Sequence, residues 1–365
     1  MKKILISGYY GFDNSGDDAI LKAIVKDLKK KNNSIKITAL SNNPTFTKKI
    51  YDINAVNRFS IGDVVKAIKD CNLFISGGGS LLQDVTSTRS LLYYISLMKL
   101  AKIFNKPVMV YANGVGPIDR RINRFLTKKI LNKVDLITLR DENSNLFLKE
   151  LEVKNKNIYV TADPVFTLEP IKEEKISQIF REEGIPEYKP LVGVSVRSWK
   201  GAKNLVSIMA RAIDYIIQNY GVNVILIPMH YPEDLSVSKD ILNKVNKEGC
   251  YILSNKYNVE DIMGVIKRLE IIVAMRLHSL IYAATQGIPM VGIVYDPKIE
   301  GFLKSIDMEH MCSVEHIEYN QLIENIDYIW ENRAELKDKL IEQNEKMRNE
   351  ALKNIDMALG LLKSR

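Results

Sequence analysis

Cysteine and histidine are scarce and scattered in this chain of 365 residues. Cys71, Cys250 and Cys312 stand far apart, and so do His230, His278, His310 and His316. That spacing offers no disulfide framework and no close-set ligand pattern, so no metal centre is expected. Long apolar runs are also missing, and none is long enough to cross a bilayer as a helix. The first residues, Met1-Lys2-Lys3-Ile4-Leu5-Ile6-Ser7-Gly8-Tyr9, begin like a signal peptide. The apolar part is too short for one, and Asp13, Asp17 and Asp18 follow at once. The expected location is the cytoplasm, with at most peripheral contact with the inner face of the cell membrane. The fingerprint Gly-x-Gly-x-x-Gly is absent after the first strand, which argues against NAD. No basic patch is interleaved with aromatics, which argues against nucleic acid. No short-period repeat or low-complexity segment occurs.

What remains is an ordinary globular composition with a basic excess. Apolar residues make up 46%, enough for two cores, and the length favours two domains. The formal net charge is +8, which opens the way to nucleic acid, an anionic membrane surface or an anionic substrate. Most lysines are interleaved with acids and form a solvated surface. The most basic zone is Asn105-Lys106, Asp119-Arg120-Arg121, and Arg124 with Lys128-Lys129.

Short buried strands alternate with helices along the chain. Ile4–Ser7 is a strand, followed by the loop Gly8–Asp18 and a helix to about Lys31. Within that loop Gly11, Asn14, Gly16 and Asp17 are candidates for contact with a ligand; the plainer reading is a tight turn with a good cap. Leu73-Phe74-Ile75 is a strand that ends in Ser76-Gly77-Gly78-Gly79-Ser80. Three consecutive glycines cost order, and their usual use is close approach of a ligand or another backbone. Further strands are Ile35–Leu40, Val108–Tyr111, Leu136–Leu139 and Ile158–Val160; a polar linker follows at Thr167–Glu174. The alternation then restarts with strands at Leu191–Val196, Val222–Ile227, Tyr251–Leu253, Ile271–Ala274 and Met290–Val294. From about Asn320 to Leu362 the chain is charged and helical. The fold class is therefore α/β, two doubly wound Rossmann-like domains facing a cleft, with the C-terminal helix packing back on the first domain. The expected domains are 1–168 and 169–365, the second including the helical tail.

In such sheets ligands bind at the carboxyl ends of the strands. The first domain places Asn113 and Arg140 there, beside its two glycine-rich segments. The second places Arg197, Arg276, His278 and Lys298. Ser279, after His278, can cap the helix that follows, and the free N–H groups of its first turn attract anions. Arginine forks suit carboxylates and phosphates. Four cations and an imidazole point to a small, multiply charged anion with a proton-transfer group beside it. The plainer reading has each arginine paired to a carboxylate (Arg140 to Asp141 or Glu142) and the histidine buried and satisfied.

These residues carry a resemblance. Gly11-Phe12-Asp13-Asn14-Ser15-Gly16-Asp17-Asp18-Ala19-Ile20-Leu21, Ser76-Gly77-Gly78-Gly79, Leu139-Arg140-Asp141, Ala162-Asp163-Pro164 and Arg276-Leu277-His278-Ser279 occur in this order over nearly the whole chain. The chain resembles the polysaccharide pyruvyltransferase family. It looks most like the branch that pyruvylates N-acetylmannosamine in secondary cell-wall polymers, the class concerned with S-layer anchoring. The resemblance implies a GT-B-like fold, phosphoenolpyruvate as donor, a pyruvate ketal as product and a lipid-linked oligosaccharide as acceptor. It implies that Arg140, Arg276, His278 and Lys298 form the donor site, reached from both domains. No cofactor is implied. Two other readings stay open: a GT-B glycosyltransferase using a nucleotide sugar, and a non-enzymatic sugar- or anion-binding module.

Overall fold

A computed structural model describes residues 2–85 and 87–363. Contacts divide the chain into two units, Met1–Thr167 with Lys346–Arg365, and Leu168–Glu345. In the first unit the order is β1 (Lys3–Tyr10), α1 (Ser15–Lys31), β2 (Lys36–Ser41), α2 (Pro44–Tyr51), β3 (Asn54–Asn57), α3 (Ile61–Asp70), β4 (Leu73–Leu82), α4 (Thr88–Ile103), β5 (Val108–Val115), α5 (Arg121–Leu131), β6 (Leu136–Leu139), α6 (Glu142–Glu150) and β7 (Ile158–Val160). The second unit runs α7 (Glu173–Glu182), β8 (Leu191–Ser195), α8 (Leu205–Tyr220), β9 (Asn223–Leu226), α9 (Glu233–Leu242), β10 (Cys250–Ile252), α10 (Val259–Lys267), β11 (Leu269–Ala274), α11 (Leu277–Thr285), β12 (Met290–Val294), α12 (Pro297–Ser305), β13 (Met311–Ser313) and α13 (Tyr319–Glu331). The last helix, α14 (Arg333–Lys363), begins in the second unit and ends in the first.

Each unit is built on a parallel sheet, in the order β3-β2-β1-β4-β5-β6-β7 and β10-β9-β8-β11-β12-β13. Helices cover both faces of such a sheet, so its strands are apolar on both sides. Ile6, Phe74, Ile75, Val108 and Val110 are fully buried in the first, Val194, Ile272 and Val273 in the second. The alternation in the sequence thus yields the expected α/β class. In each sheet the strand order reverses at one place, between β1 and β4 and between β8 and β11. In sheets of this kind ligands bind outside the carboxyl ends of the strands at such a reversal. Among the described residues no helix is long and apolar enough to cross a membrane.

The structure corrects the sequence reading in several places. β4 does not stop at Ile75: it runs through the three glycines, pairing Gly77 with Tyr111, Gly79 with Asn113 and Leu82 with Val115. Likewise β1 reaches Tyr10, so the first loop is shorter than Gly8–Asp18. The sequence reading has no place for α2, β3, α7 or β13. The strands among them are three or four residues long and half polar, too short for a period to show. The tail belongs with the first unit from Lys346 on, whereas 169–365 assigns it to the second. There Asn354, fully buried, accepts from Thr161 Oγ1 at 2.9 Å and donates to the Ala162 carbonyl at 3.1 Å.

Two glycines are fixed by geometry. Gly11 has φ +77°, and a Cβ there would lie 2.4 Å from Ser41 Oγ and 2.6 Å from the Asn43 nitrogen. Gly78 has φ +47°, and its Cβ would lie 2.1 Å from Ile20 Cγ2. The close approach at Gly78 is thus with helix α1 of the same unit. Gly78→Ala is expected to lower stability by about 1–3 kcal/mol from overpacking alone. Chemical denaturation measures this, and an unchanged midpoint would show that α1 can shift freely.

Candidate functional site

In the first unit, most candidates meet partners of their own unit. Asn14 caps α1, accepting from the Gly16 nitrogen at 3.0 Å and the Asp17 nitrogen at 3.4 Å. Gly16 is buried in the first turn. The space above Gly77 is taken by the Tyr10 hydroxyl and Ile6, and Asp17 Oδ1 would be 3.1 Å from a Cβ on Gly79. The acidic first turn of α1 therefore sets the Asp17 carboxylate, not a cation, beside the glycine segment. Asn113 is fully buried and donates to the Ser76 and Tyr111 carbonyls. Arg140 has a side chain only 5% exposed. It donates to Asp163 Oδ2 at 3.1 Å and to Ser80 Oγ at 2.8 Å, and lies 3.6 Å from Asp141. The carboxylate pairing that is the plainer reading of Arg140 is present, with Asp163 as the nearer partner.

The sequence reading missed Arg58, at the end of β3. It is buried, donates to the Gly8 carbonyl at 3.1 Å, and lies over the rings of Phe12 at 5.2 Å and Tyr93 at 4.5 Å. Phe12 stacks on Tyr9 at 4.2 Å. Arg58 thereby holds the glycine loop by cation–π contact.

In the second unit the candidates converge. β8 and β11 flank the strand-order reversal, with Ser195 opposite Ala274. Arg197 and Arg276 each stand two residues beyond that pair, so adjacent strands deliver two arginines to one crevice. The Arg276 guanidinium is held as a fork: Nε donates to Asp234 Oδ2 at 2.8 Å and Nη2 to Asp234 Oδ1. Burial works against its charge, but Asp234 more than offsets this and its pKa is raised. Asp234 is fully buried and also accepts from the backbone nitrogens of Met229 at 3.3 Å and His230 at 3.0 Å. It was not in the sequence reading, because its tie to Arg276 spans 42 positions.

Arg197 is different. Its Nε is buried without a hydrogen-bond partner, and no carboxylate pairs with it among the described residues. Its guanidinium lies 5.0 Å from the centre of the Tyr295 ring and 5.9 Å from that of Trp199. Lys298 Nζ lies 5.6 Å from the same tyrosine ring, while pairing with Asp296 at 2.9 Å. Tyr295, just beyond β12, therefore lies under two cations, and it too escaped the sequence reading. A tyrosine has no fixed chemical signature until its neighbours are known.

Ser279 does not cap α11. Arg276 occupies the cap position, no side chain caps the helix among the described residues, and the Ser279 hydroxyl donates to the Arg276 carbonyl at 2.6 Å. Ser279 is fully buried and so fixes the turn instead. His278 is half-buried in the first turn of α11, its ring tilted against Tyr282 at 6.4 Å. His230, beyond β9, is half-buried too, with Nδ1 3.5 Å from Glu233. Chemically the crevice offers one uncompensated guanidinium, two further cations already partnered, an uncapped helix start and two imidazoles. This suits a compact anion and a proton transfer.

Comparison with known proteins agrees in kind. Residues 14–297 match the family model described as polysaccharide pyruvyl transferase. The chain is 21% identical to the amylovoran biosynthesis protein AmsJ of Erwinia amylovora, over 98% of this chain and 100% of that one. Among solved structures it is similar in fold to Anabaena HepE in complex with UDP-glucose, with TM-score 0.68, 13% identity and full coverage of both chains. The UDP-GlcNAc 2-epimerase of Neisseria meningitidis, bound to UDP-GlcNAc, gives the same three values. At these identities the structures show a shared GT-B-type fold. The match over most of its length shows that this chain is a transferase of the polysaccharide pyruvyl transferase family.

Proposed function

We propose that this transferase moves pyruvate from phosphoenolpyruvate to a sugar of a lipid-linked precursor of a secondary cell-wall polymer. N-acetylmannosamine is the proposed acceptor sugar, the product a pyruvate ketal, and phosphate leaves. The observation that supports this most is the crevice of the second unit: Arg197 and Arg276 at the ends of neighbouring strands, Lys298 and Arg197 both on the Tyr295 ring, and His278 in the first turn of α11.

Phosphoenolpyruvate carries a carboxylate and a phosphate close together. Arg197, with its free guanidinium, and the uncapped start of α11 are proposed to take these charges, with Lys298 leaving Asp296 to join them. Arg276, locked by Asp234, is proposed to present a fixed edge. Arg140, in the first unit, already has its charge offset by Asp163 and Asp141. His278 gives a proton to the methylene carbon, leaving an oxocarbenium-like centre at C2. One sugar hydroxyl adds there and loses its proton, phosphate departs, and a second hydroxyl closes the ring. One of the two hydroxyl protons replaces that given by His278, and the other leaves with phosphate or solvent. Positive groups around C2 and the departing phosphate stabilise the charge that develops.

The test is phosphate release from phosphoenolpyruvate with a panel of N-acetylhexosamine lipid analogues. The expected result is release only when an acceptor is present, with pyruvate retained on the sugar. Turnover of a nucleotide sugar with no use of phosphoenolpyruvate would establish the glycosyltransferase reading instead.

A further inference from the structure

We infer that the outward face of α5, with Val85 beside it, docks the first unit onto an anionic lipid surface. This goes beyond the reading of the reaction and does not depend on it. Helix α5 buries Asn123, Thr127, Ile130 and Leu131 against its unit. On the opposite side Ile122 and Phe125 are 68% and 59% exposed. They share one face with Lys129, whose ammonium lies 5.8 Å from the centre of the Phe125 ring. Val85, 63% exposed, directly follows Asp84, which grips the start of α5. Asp84 accepts from the backbone nitrogens of Asp119 at 2.9 Å and Arg120 at 3.2 Å, and from Asn123 Nδ2 at 2.7 Å.

The charges sort themselves around this apolar face. Arg124 pairs with Glu150 at 2.6 Å and Lys128 with Glu152 at 2.6 Å. Those two cations, basic in the sequence, are neutralised in the fold. Arg121 and Lys129 are exposed, and neither has an ion-pair partner among the described residues. Asp119 is exposed at the edge. The face therefore presents large apolar tips interleaved with free cations. A second copy of the chain would bring like charges together, which opposes self-association. An anionic bilayer offers a negative plane with an apolar layer just beneath it, and matches both elements at once. Long basic side chains can lie along such a boundary with their heads at the charged level.

The whole chain is tested by co-sedimentation with vesicles of 70% phosphatidylcholine and 30% phosphatidylglycerol, against pure phosphatidylcholine. Binding is expected only with the anionic lipid, and to weaken with added salt. Ile122→Ser with Phe125→Ser is expected to reduce partitioning by about tenfold or more, as is Arg121→Gln with Lys129→Gln. Replacing Arg124 and Glu150 together by glutamine removes a neutral pair and is expected to change it by less than about twofold. All these residues are at the surface, so circular dichroism should show each variant folded as the wild type. Equal sedimentation with both vesicle types, or wild-type binding by the Ile122/Phe125 variant, overturns the proposal. So does a wild type that ignores vesicles but forms dimers that the same substitutions break.

Discussion

With His278 replaced by glutamine, turnover is expected to fall by about 10²–10⁴-fold while phosphoenolpyruvate still binds at close to wild-type affinity. Glutamine keeps much of the size and polarity of the imidazole but neither gives nor takes a proton near neutral pH. The groups proposed to hold the anion, Arg197 and the start of α11, are left in place. Donor affinity by calorimetry and kcat by phosphate release separate the two effects. The limb of the pH–rate profile that reports the imidazole should vanish with it. If the variant instead loses donor affinity and keeps the shape of its pH profile, His278 is a binding group. His230 is the control: its backbone nitrogen shares Asp234 with Arg276, so it stands at the same end of the sheet. A catalytic defect in His230→Gln without one in His278→Gln would transfer the role.

Breaking the Arg276–Asp234 pair should have the largest effect on the fold of the second unit. Asp234→Asn is expected to lower stability by about 3–5 kcal/mol, the range for removing one partner of a buried ion pair. The Arg276 side chain is 14% exposed and that of Asp234 1%, so solvent can do little to compensate the orphaned charge. Asparagine can also no longer serve the fork and both backbone nitrogens with oxygens. Arg276→Lys should be damaging as well, because an ammonium cannot reproduce two parallel bonds. Removing the carboxylate takes negative charge from the crevice, so Asp234→Asn should not weaken the donor in whatever fraction stays folded. Scanning calorimetry of both single variants and the double Asp234→Asn/Arg276→Lys gives the coupling. Unchanged transition temperatures in both single variants would mean the pair does not hold these strand ends together.

The fold was legible because parallel strands covered on both faces must be apolar throughout, and Ile271–Ala274 or Val108–Tyr111 can hardly be read otherwise. What strand ends carry was also legible: Arg197 and Arg276 stand two residues beyond such runs, and His278 two residues further, in the helix that follows. The state of those groups was not. Arg140 and Arg276 look alike in sequence to Arg197, yet the first two are neutralised by Asp163 and Asp234 and the last is not. Which cation is free depends on carboxylates 23 and 42 positions away, and no local pattern encodes that. The triple glycine illustrates the same limit. Its lack of side chains was plain, but the space is filled by Tyr10 and Ile20, and only the packing of α1 reveals it.

The course of α14 sets how this protein can be divided. The chain leaves the first unit after Thr167 and returns to it at Lys346. The second unit is thus an insertion into the first, not a successor to it. Ala351, Ile355, Ala358 and Leu362, all buried, and Asn354 with its bonds to Thr161 and Ala162 complete the first unit from nearly 200 positions further along the chain. A peptide cut between the units near residue 168 would leave two pieces still clasped by that helix. Residues 168–345 form the second unit as one continuous stretch, whose end lies inside helix α14. Residues 1–167 do not form the first: taken alone they leave behind the helix that closes them, and only a permuted gene, with 346–365 joined after 167, would carry the first unit whole.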